Sequence, residues 1–313
     1  MTSVLLIGCG NIGFRHLQAL VQMTEAADIT IVEPAIVTHP RIAALIADQT
    51  GPHRMRLLTA LPDTATSFNL AVIATSANNR RAIIEDLLDR HTVSVMILEK
   101  VLFQALADLD AVGSLLANKN VTAYVNCGRR YFPGYIALRD QFLRDRTGAL
   151  DLLVTGQAFG LASNAVHFVD LAEYLNTAAL TALDGTGLLA GSVSAKRADC
   201  VEVFGTLTAQ MDNGARLTMD CRADGPLGVT VRLSGKDVEI SIDEPARQIT
   251  QGGSPTPFAS KNVSECTEIY ADALRDGQCN LTHYADSVRQ HRFFLSAVLD
   301  HLHLPQTAKC PVS

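Results

Sequence analysis

Two places in this sequence carry side chains whose types and spacing suit proton transfer at a hydroxyl group. Lys100 follows Glu99 at the end of an apolar stretch, where a partly buried lysine can hydrogen-bond and polarise a substrate hydroxyl. His167 and Asp170 stand three residues apart in a helical pattern, so the aspartate can fix the tautomer of a proton-accepting histidine. The alternatives are a solvated lysine at a strand end and a surface histidine beside a helix cap. Lys100, His167 and Asp170 are therefore the candidate catalytic residues.

A second group of polar side chains could bind a substrate. Arg129 and Arg130 could hold a carboxylate or phosphate through paired N–H donors, or they could form salt bridges at a domain interface. Ser163 or Asn164 would cap the helix that carries His167, and Asn164 is also a candidate substrate-binding residue. The histidines near the C-terminus lack the spacing of metal ligands, so no metal site is predicted.

The element that must position these groups begins near the N-terminus. An apolar run, Val4 to Ile7, leads into Gly8-Cys9-Gly10-Asn11-Ile12-Gly13 and then into a helical pattern. This GxGxxG spacing permits a tight turn and close approach to a pyrophosphate, although a purely structural glycine turn is the alternative. Glu33 ends the next strand, where a carboxylate accepts both ribose hydroxyls and repels a 2′-phosphate. We predict NAD as the cofactor, with NADP as the alternative because Arg41 could meet its phosphate.

Strand and helix patterns alternate through the first half of the chain, which predicts a parallel, doubly wound sheet. Ligands bind such sheets at the carboxyl ends of the strands. The predicted cofactor contacts all lie there: Gly8, Gly10, Asn11, Ile12, Gly13, Glu33, Thr75, Ser76 and Glu99.

After residue 122 the pattern changes to short strands separated by turn residues, with a helix over Ala165 to Tyr174. We predict an α/β protein with a Rossmann domain over residues 1–122. Residues 123–313 would form a substrate-binding and oligomerisation domain with an open, mainly antiparallel sheet, onto which a helix from His283 to His301 packs back. Because partners usually cover open sheets, we expect a homodimer or homotetramer through this domain.

Composition excludes several classes of function. A formal charge of −6 provides no basic field for nucleic acid or an anionic membrane surface. Neither a membrane span nor a signal peptide is evident, which predicts a cytoplasmic protein. The seven cysteines form no CxxC pair and are interpreted as reduced, mostly buried thiols.

The order of the motifs is more specific than any one of them: GCGNIG, Glu33, Glu99-Lys100, Arg130-Tyr131-Phe132-Pro133, and His167 with Asp170. In this order the chain resembles, over nearly its whole length, the Gfo/Idh/MocA family, the glucose–fructose oxidoreductase and inositol dehydrogenase group. The resemblance implies oxidation or reduction of a sugar or cyclitol hydroxyl by a nicotinamide cofactor. It also implies that Lys100 and His167 flank the substrate, since they match the lysine of the family's EKP motif and the histidine of its DxxxH motif.

Three positions depart from the family pattern. Val101 replaces the proline after the lysine, so the bend there must be made otherwise. Ser163 replaces the acid that precedes the histidine by four residues, and the loop from Ala74 to Arg80 lacks the family's proline and histidine.

We expect a sugar oxidoreductase in which Lys100 polarises the reacting hydroxyl, His167 exchanges its proton and Asp170 supports His167. Parts of the second half are similar to family members of bacterial surface-sugar and nonulosonic-acid synthesis. This similarity implies a nucleotide sugar or acidic sugar whose charge meets Arg129 or Arg130. The alternative function is a dinucleotide-binding sensor without turnover, which the departures from the family pattern keep open.

Overall fold

The computed structural model describes residues 1–145, 148–195 and 199–313. Its elements up to residue 126 are β1 (Thr2–Ile7), α1 (Asn11–Leu20), β2 (Ala27–Val32), α2 (His39–Asp48), β3 (Arg54–Leu58), β4 (Ser67–Ile73), α3 (Arg80–Arg90), β5 (Thr92–Leu98), α4 (Leu106–Asn118) and β6 (Thr122–Val125). The later helices and strands are α5 (Pro133–Asp145), β7 (Asp151–Gln157), α6 (Leu161–Asn176), β8 (Leu180–Leu188), β9 (Val193–Ser194), β10 (Val201–Glu202), β11 (Gly205–Met211), β12 (Arg216–Arg222), β13 (Gly228–Gly235), β14 (Val238–Asp243), β15 (Gln248–Gln251), β16 (Thr256–Pro257), α7 (Thr267–Asp276), β17 (Thr282–His283) and α8 (Tyr284–His301).

The chain forms two compact units. The first contains Met1–Phe103, Asp108–Asn126 and Lys261–Ala285, and the second contains Gln104–Ala107, Cys127–Ser260 and Asp286–Ser313. Residues 261–285 therefore belong to the first unit, whereas the second domain predicted from the sequence runs without interruption over 123–313. They pack in the first unit because β17 pairs with β6 as an antiparallel edge strand.

The first unit is built on a seven-stranded sheet with the order β17-β6-β5-β4-β1-β2-β3. All its neighbouring strands are parallel except β17. Runs of buried residues end the three central strands, Val4–Ile7, Leu70–Ile73 and Val95–Leu98. Such runs are typical of parallel strands with both faces covered. The predicted Rossmann sheet is confirmed, and its carboxyl edge positions the Gly-rich turn, Thr75 and Glu99.

The second unit is built on an eight-stranded sheet with the order β16-β15-β14-β13-β7-β12-β11-β8. Only β7 and β12 pair in parallel among its described neighbours, so the predicted mainly antiparallel sheet is confirmed. Along β12, Leu217, Met219 and Cys221 are buried and alternate with more exposed polar residues. The buried face of the sheet packs against α6, the helix that carries His167.

Two further sequence interpretations can be compared with the structure. None of the seven cysteines forms a disulfide in the described structure, and five of them are buried. Within the described ranges, no helix has both the length and the apolar character needed to cross a bilayer.

Candidate functional site

The Gly-rich turn of the first unit connects β1 to α1 and leaves a space suited to a pyrophosphate. A Cβ atom on Gly13 would lie 2.0 Å from the Gly8 carbonyl oxygen, so this close packing of helix on strand requires glycine. A Cβ atom on Gly10, the N-cap of α1, would meet no heavy atom within 4 Å. The first N–H groups of α1, including those of Asn11 and Ile12, have no partner within the helix and suit an anion.

Glu33 joins the ends of the first two strands. Its Oε2 atom accepts a hydrogen bond from the Cys9 N–H at 2.6 Å, and its Oε1 atom accepts one from the Ala35 N–H at 2.8 Å. Each oxygen can accept a second bond, so two ribose hydroxyls still find acceptors there. Arg41 donates to the Cys9 carbonyl at 2.8 Å and stacks 4.7 Å from the centre of the Phe14 ring. Its guanidinium is therefore anchored to the Gly-rich turn.

Two exposed apolar side chains follow Glu33, and sequence analysis did not single them out. Ile36 is 69% exposed and Val37 is 87% exposed. They lie in a short 3-10 turn, Ile36–Thr38, directly after the strand end that is predicted to hold the ribose. Apolar side chains at this position can cover the adenine ring of a bound dinucleotide.

One buried arginine holds the loop after β4 to the loop after β5. Arg80, which is 1% exposed, donates hydrogen bonds to the carbonyl oxygens of Thr75 and Val101 and, at 2.6 Å, to that of Leu102. The peptide bond between Lys100 and Val101 is cis. Arg80 thus fixes the backbone that follows Lys100. In the loop that ends at Arg80, the sequence indicated only that the family's proline and histidine are absent.

Two predicted cofactor contacts lie in the loop after β4. The Oγ1 atom of Thr75 is buried and has no hydrogen-bond partner in the described chain. Buried polar atoms are normally satisfied, so this hydroxyl fits a role toward a bound cofactor. The Ser76 hydroxyl is 2.7 Å from Asn78 Oδ1, within the same loop.

Glu99 is the centre of a buried polar network at the end of β5. Its Oε1 atom accepts a hydrogen bond from Asn126 at 2.6 Å and lies 2.8 Å from Nε2 of His16, whose Nδ1 lies 2.6 Å from the Tyr270 hydroxyl. Burial opposes ionisation of Glu99, but the hydrogen bonds with His16 and Asn126 outweigh it and lower the pKa of this carboxyl. Burial raises the pKa of Tyr270 well above its ordinary value. The network fixes α1 to the strand end that precedes Lys100.

In the second unit, α6 begins earlier than the sequence pattern indicated. Its first residue is Leu161 and its N-cap is Gly160, whereas the predicted helix began near Ala165. Gly160 has a φ of 71°, a conformation that glycine adopts without steric cost. Ser163 and Asn164 therefore lie inside the first turn, and the prediction that one of them is the N-cap is wrong.

The first ten residues of α6 are buried except for three polar side chains, Ser163, Asn164 and His167, which we call the polar strip. Ser163 and His167 are four residues apart and share one helix face. The Asn164 amide donates to the carbonyl oxygens of Phe159 and Gly160, which anchors the strip to the turn before the helix. The strip provides a proton acceptor and hydrogen-bonding groups on the half-buried side of a helix whose first ten residues are otherwise buried.

Asp170 forms a buried ion pair with Arg130. Two guanidinium nitrogens of Arg130 donate to the two carboxylate oxygens at 2.9 and 2.7 Å, and the Gln290 amide donates to the same carboxylate at 3.2 Å. Burial disfavours the charge on Arg130, but Asp170 outweighs this effect and raises the pKa of Arg130. The predicted support of His167 by Asp170 stays a prediction.

Arg129 forms a second, partly buried ion pair in the same unit. It donates to both carboxylate oxygens of Glu244 at 2.8 and 2.6 Å, and the Tyr135 hydroxyl donates to Glu244 at 2.8 Å. Its guanidinium lies 4.2 Å from the centre of the Phe168 ring. The sequence left open whether Arg129 and Arg130 bind substrate or form salt bridges. In the structure, both arginines form ion pairs with carboxylates of the same unit.

The structure therefore groups the predicted residues differently in the two units. In the first, the Gly-rich turn, Glu33 and Thr75 lie together, and Glu99 is joined to α1. In the second, Arg130 and Asp170 are paired, and Arg129 belongs to a separate cluster with Glu244. Sequence reasoning did not identify the side chains that complete these groups, which include His16, Arg80, Asn126, Glu244, Tyr270 and Gln290.

Comparison with known proteins supports this description. The Gfo/Idh/MocA model, described as an oxidoreductase family with an NAD-binding Rossmann fold, matches residues 2–127. A sequence search of curated proteins found no match. Among solved structures, an oxidoreductase from Agrobacterium radiobacter in complex with NAD+, L-tartaric acid and magnesium is 18% identical, with a TM-score of 0.72 and 96% of each chain covered.

Two further structures show the functional range of this fold. UDP-N-acetylglucosamine 3-dehydrogenase GnnA from Acidithiobacillus ferrooxidans is 17% identical, with a TM-score of 0.66 and coverage of 97% of this chain and 98% of its own. A super-repressor mutant of Gal80p from Saccharomyces cerevisiae is 12% identical, with a TM-score of 0.74 and 96% of each chain covered. At these identities the likeness establishes the fold alone, and it confirms the predicted fold class. The family match, whose model is described as an NAD-binding Rossmann fold, confirms NAD as the cofactor.

Proposed function

We propose that the protein transfers a hydride between nicotinamide and a carbon that carries a sugar hydroxyl or carbonyl. Its residues 2–127 match the model of the Gfo/Idh/MocA family of NAD-binding oxidoreductases. One observation carries the proposal. The 2.8 Å contact between His16 and Glu99 ties the helix after the Gly-rich turn to the strand end that leads into Lys100. A buried contact thus joins the helix after the turn that is predicted to bind the cofactor to the residue that precedes the candidate catalytic lysine.

Each candidate catalytic residue has a defined role in this proposal. When bound, NAD supplies the hydride acceptor. Lys100 donates a hydrogen bond to the reacting oxygen and stabilises the negative charge that develops there. His167 accepts the hydroxyl proton during oxidation and returns it during reduction. Asp170 is proposed to support His167 from the same helix, in addition to its ion pair with Arg130.

The proposed substrate class is a sugar or nucleotide sugar. One solved structure of this fold is a UDP-N-acetylglucosamine 3-dehydrogenase, which supports that class for our chain. A role in surface-polysaccharide or nonulosonic-acid metabolism also belongs to the proposal, but the arginines do not support it. Arg129 and Arg130 are paired with Glu244 and Asp170, so these arginines provide less charge for an acidic sugar.

A homodimer or homotetramer through the second sheet is also part of the proposal. The sheet face that α6 does not cover is polar, with Thr208, Arg232 and Asp243 among its exposed residues. A partner on this face would be held by hydrogen bonds and ion pairs rather than by apolar packing. Light scattering at increasing salt measures the expected consequence, which is dissociation of the oligomer as ionic strength rises.

The second candidate function is a dinucleotide-binding sensor without turnover. The Gal80p super-repressor mutant has the same fold, which favours keeping this alternative. The presence of Ser163 where the family has an acid also favours this alternative.

Thermal unfolding with NAD or NADP, and with NAD plus a panel of sugars and nucleotide sugars, tests the two candidates. A ligand that binds the native state raises the melting temperature by mass action. An oxidoreductase also forms NADH with at least one sugar that raises the melting temperature, and Lys100→Met and His167→Asn lower that rate by about a hundredfold or more. A sensor binds NAD and a sugar without forming NADH, and this result would overturn the proposed reaction.

A further inference from the structure

A carboxylate from a distant strand occupies the N-terminus of α6. Glu202 lies in β10, and its Oε1 atom accepts hydrogen bonds from the Ala162 N–H at 2.5 Å and the Ser163 N–H at 3.3 Å. Its Oε2 atom accepts a hydrogen bond from the Ser163 hydroxyl at 2.6 Å. The Val203 N–H donates to the same side chain at 3.1 Å, which fixes its position on its own strand. The helix itself has no acidic residue in its first turn, so Glu202 supplies the negative charge that suits this end.

Gly160 makes this approach possible. A Cβ atom on Gly160 would lie 2.2 Å from the Glu202 carboxyl carbon and 2.3 Å from its Oε2 atom. A side chain at position 160 would displace the carboxylate from its place at the helix N-terminus, and the φ of 71° would add strain. The N-cap glycine and the distant glutamate therefore form one matched pair.

The bonds of Glu202 bear directly on the polar strip. Ser163 is the first residue of the strip, and His167 follows it one turn later on the same face. Because the Ser163 hydroxyl donates to Glu202, its oxygen presents lone pairs, not its hydrogen, to any further partner. The carboxylate thus determines both where the first turn lies and how Ser163 can hydrogen-bond.

We propose that Glu202 is a positioning residue of the polar strip: its carboxylate fixes the first turn of α6 and the Ser163 hydroxyl, and thereby the placement of the strip toward substrate. The inference rests on the proposed function, because the strip includes His167. According to this proposal, Glu202 of β10 supplies the negative charge that α6 lacks because Ser163 replaces the family's acid. A carboxylate restored at position 163 should therefore replace the one at position 202.

The experiment compares four variants in the full-length protein. Glu202→Ala removes the carboxylate, and Glu202→Gln keeps its shape and its ability to accept N–H bonds but removes the charge. Glu202→Gln combined with Ser163→Asp restores a carboxylate on the strip. Asp184→Asn is the matched control, because Asp184 also accepts bonds from a backbone N–H at 2.8 Å and a hydroxyl at 3.0 Å, both of Thr186, on exposed β8.

Hydrogen exchange, NADH formation and NAD binding are measured on each variant. Hydrogen exchange of the peptide covering residues 159–167 reports the order of the first turn without any need for turnover. NADH formation with myo-inositol and with UDP-N-acetylglucosamine as probes reports kcat and KM, and calorimetry reports NAD binding. We expect Glu202→Ala to accelerate exchange at the first turn. We expect Glu202→Gln to lower kcat by about tenfold to a hundredfold with unchanged NAD binding.

The combined variant should recover most of the lost kcat, and Asp184→Asn should match wild type. Wild-type exchange in Glu202→Ala would overturn the proposal. So would wild-type kcat in Glu202→Gln, or equal losses of kcat in Asp184→Asn. If the wild type reduces NAD with neither probe, the proposed function fails for these substrates. In that case the exchange measurement alone decides the role of Glu202.

Discussion

The N-termini of α1 and α6 are built alike but completed in opposite ways. Each helix follows an N-cap glycine, Gly10 or Gly160, and neither has an acidic residue in its first turn. At α1, a Cβ on the glycine would meet open space, and the described chain provides no capping side chain. At α6, the protein's own Glu202 carboxylate accepts the helix N–H groups. The first end is suited to a ligand's phosphate, whereas the second is already neutralised.

The two helix ends differ in the source of the negative charge that each accepts. The anion that α1 accepts comes with the cofactor, so the turn there consists of small residues and backbone donors. The anion at α6 belongs to the protein and orders the polar strip. A phosphate or carboxylate of a substrate would meet repulsion at α6, which favours neutral hydroxyl groups beside the strip.

The largest effect is expected from closing the packing space of the first helix. Gly13→Ala places a Cβ 2.0 Å from the Gly8 carbonyl oxygen, so helix and strand must separate and the phosphate site is lost. We expect NAD affinity to fall by about a hundredfold or more, measured by calorimetry. Gly253→Ala is the control, since a Cβ there meets nothing within 4 Å. Wild-type affinity in Gly13→Ala would contradict the assignment of the turn.

The next effect concerns the network that anchors α1. Glu99→Gln leaves His16 and Asn126 without their buried carboxylate and should lower the free energy of unfolding by about 3 kcal/mol near neutral pH. Because hydrogen bonds lower the pKa of Glu99 in the folded protein, its stabilising effect is present above the ordinary glutamate pKa and is lost as pH falls through the lowered folded-state pKa.

Urea unfolding of the wild type and Glu99→Gln at several pH values measures this dependence. The difference in stability between the two proteins should shrink as the solution becomes more acidic. A difference that stays constant with pH would show that the charge of Glu99 does not contribute.

A substitution at Gly10 makes the first helix resemble the second. Gly10 has φ −62° and ψ −156°, which an aspartate can adopt, and aspartate is a favourable N-cap. Gly10→Asp should therefore retain or raise the melting temperature without cofactor. It should weaken NAD binding by roughly tenfold to a hundredfold, because the new carboxylate occupies the phosphate site. Gly10→Asn, which lacks the charge, should lose less affinity. Equal affinities of the two variants would contradict the electrostatic reason.

The smallest effect is expected at the ribose end. Glu33→Gln removes the carboxylate that repels a 2′-phosphate, while Arg41 stays anchored at the Cys9 carbonyl. The ratio of NADP to NAD affinity should rise by roughly tenfold, and Arg41→Gln should lower it. Calorimetry with both cofactors measures the ratio. An unchanged ratio in Glu33→Gln would exclude this carboxylate as the determinant.

The two helix ends also show what sequence can predict. GCGNIG and Glu33 are local patterns, and their predicted meeting is confirmed by the 2.6 Å bond between Cys9 and Glu33. The N-terminus of α6 depends on a hydrogen bond from the Ser163 hydroxyl to Glu202, 39 residues further along the chain. No rule of sequence spacing predicts such a contact. His16 and Tyr270, 254 residues apart, meet for the same kind of reason. The early start of α6 was missed because Gly160 adopts positive φ, which a helical periodicity does not reveal.

Direct transfer of hydride is the central claim, and isotope transfer tests it most directly. A sugar from the panel that raises the melting temperature with NAD is prepared with deuterium at its carbon-bound positions and incubated with the wild type and NAD. We predict reduced cofactor that carries one deuterium, detected by mass spectrometry, and none with Lys100→Met or His167→Asn. Reduced cofactor without deuterium, or a bound sugar with no reduced cofactor, would contradict the proposed reaction.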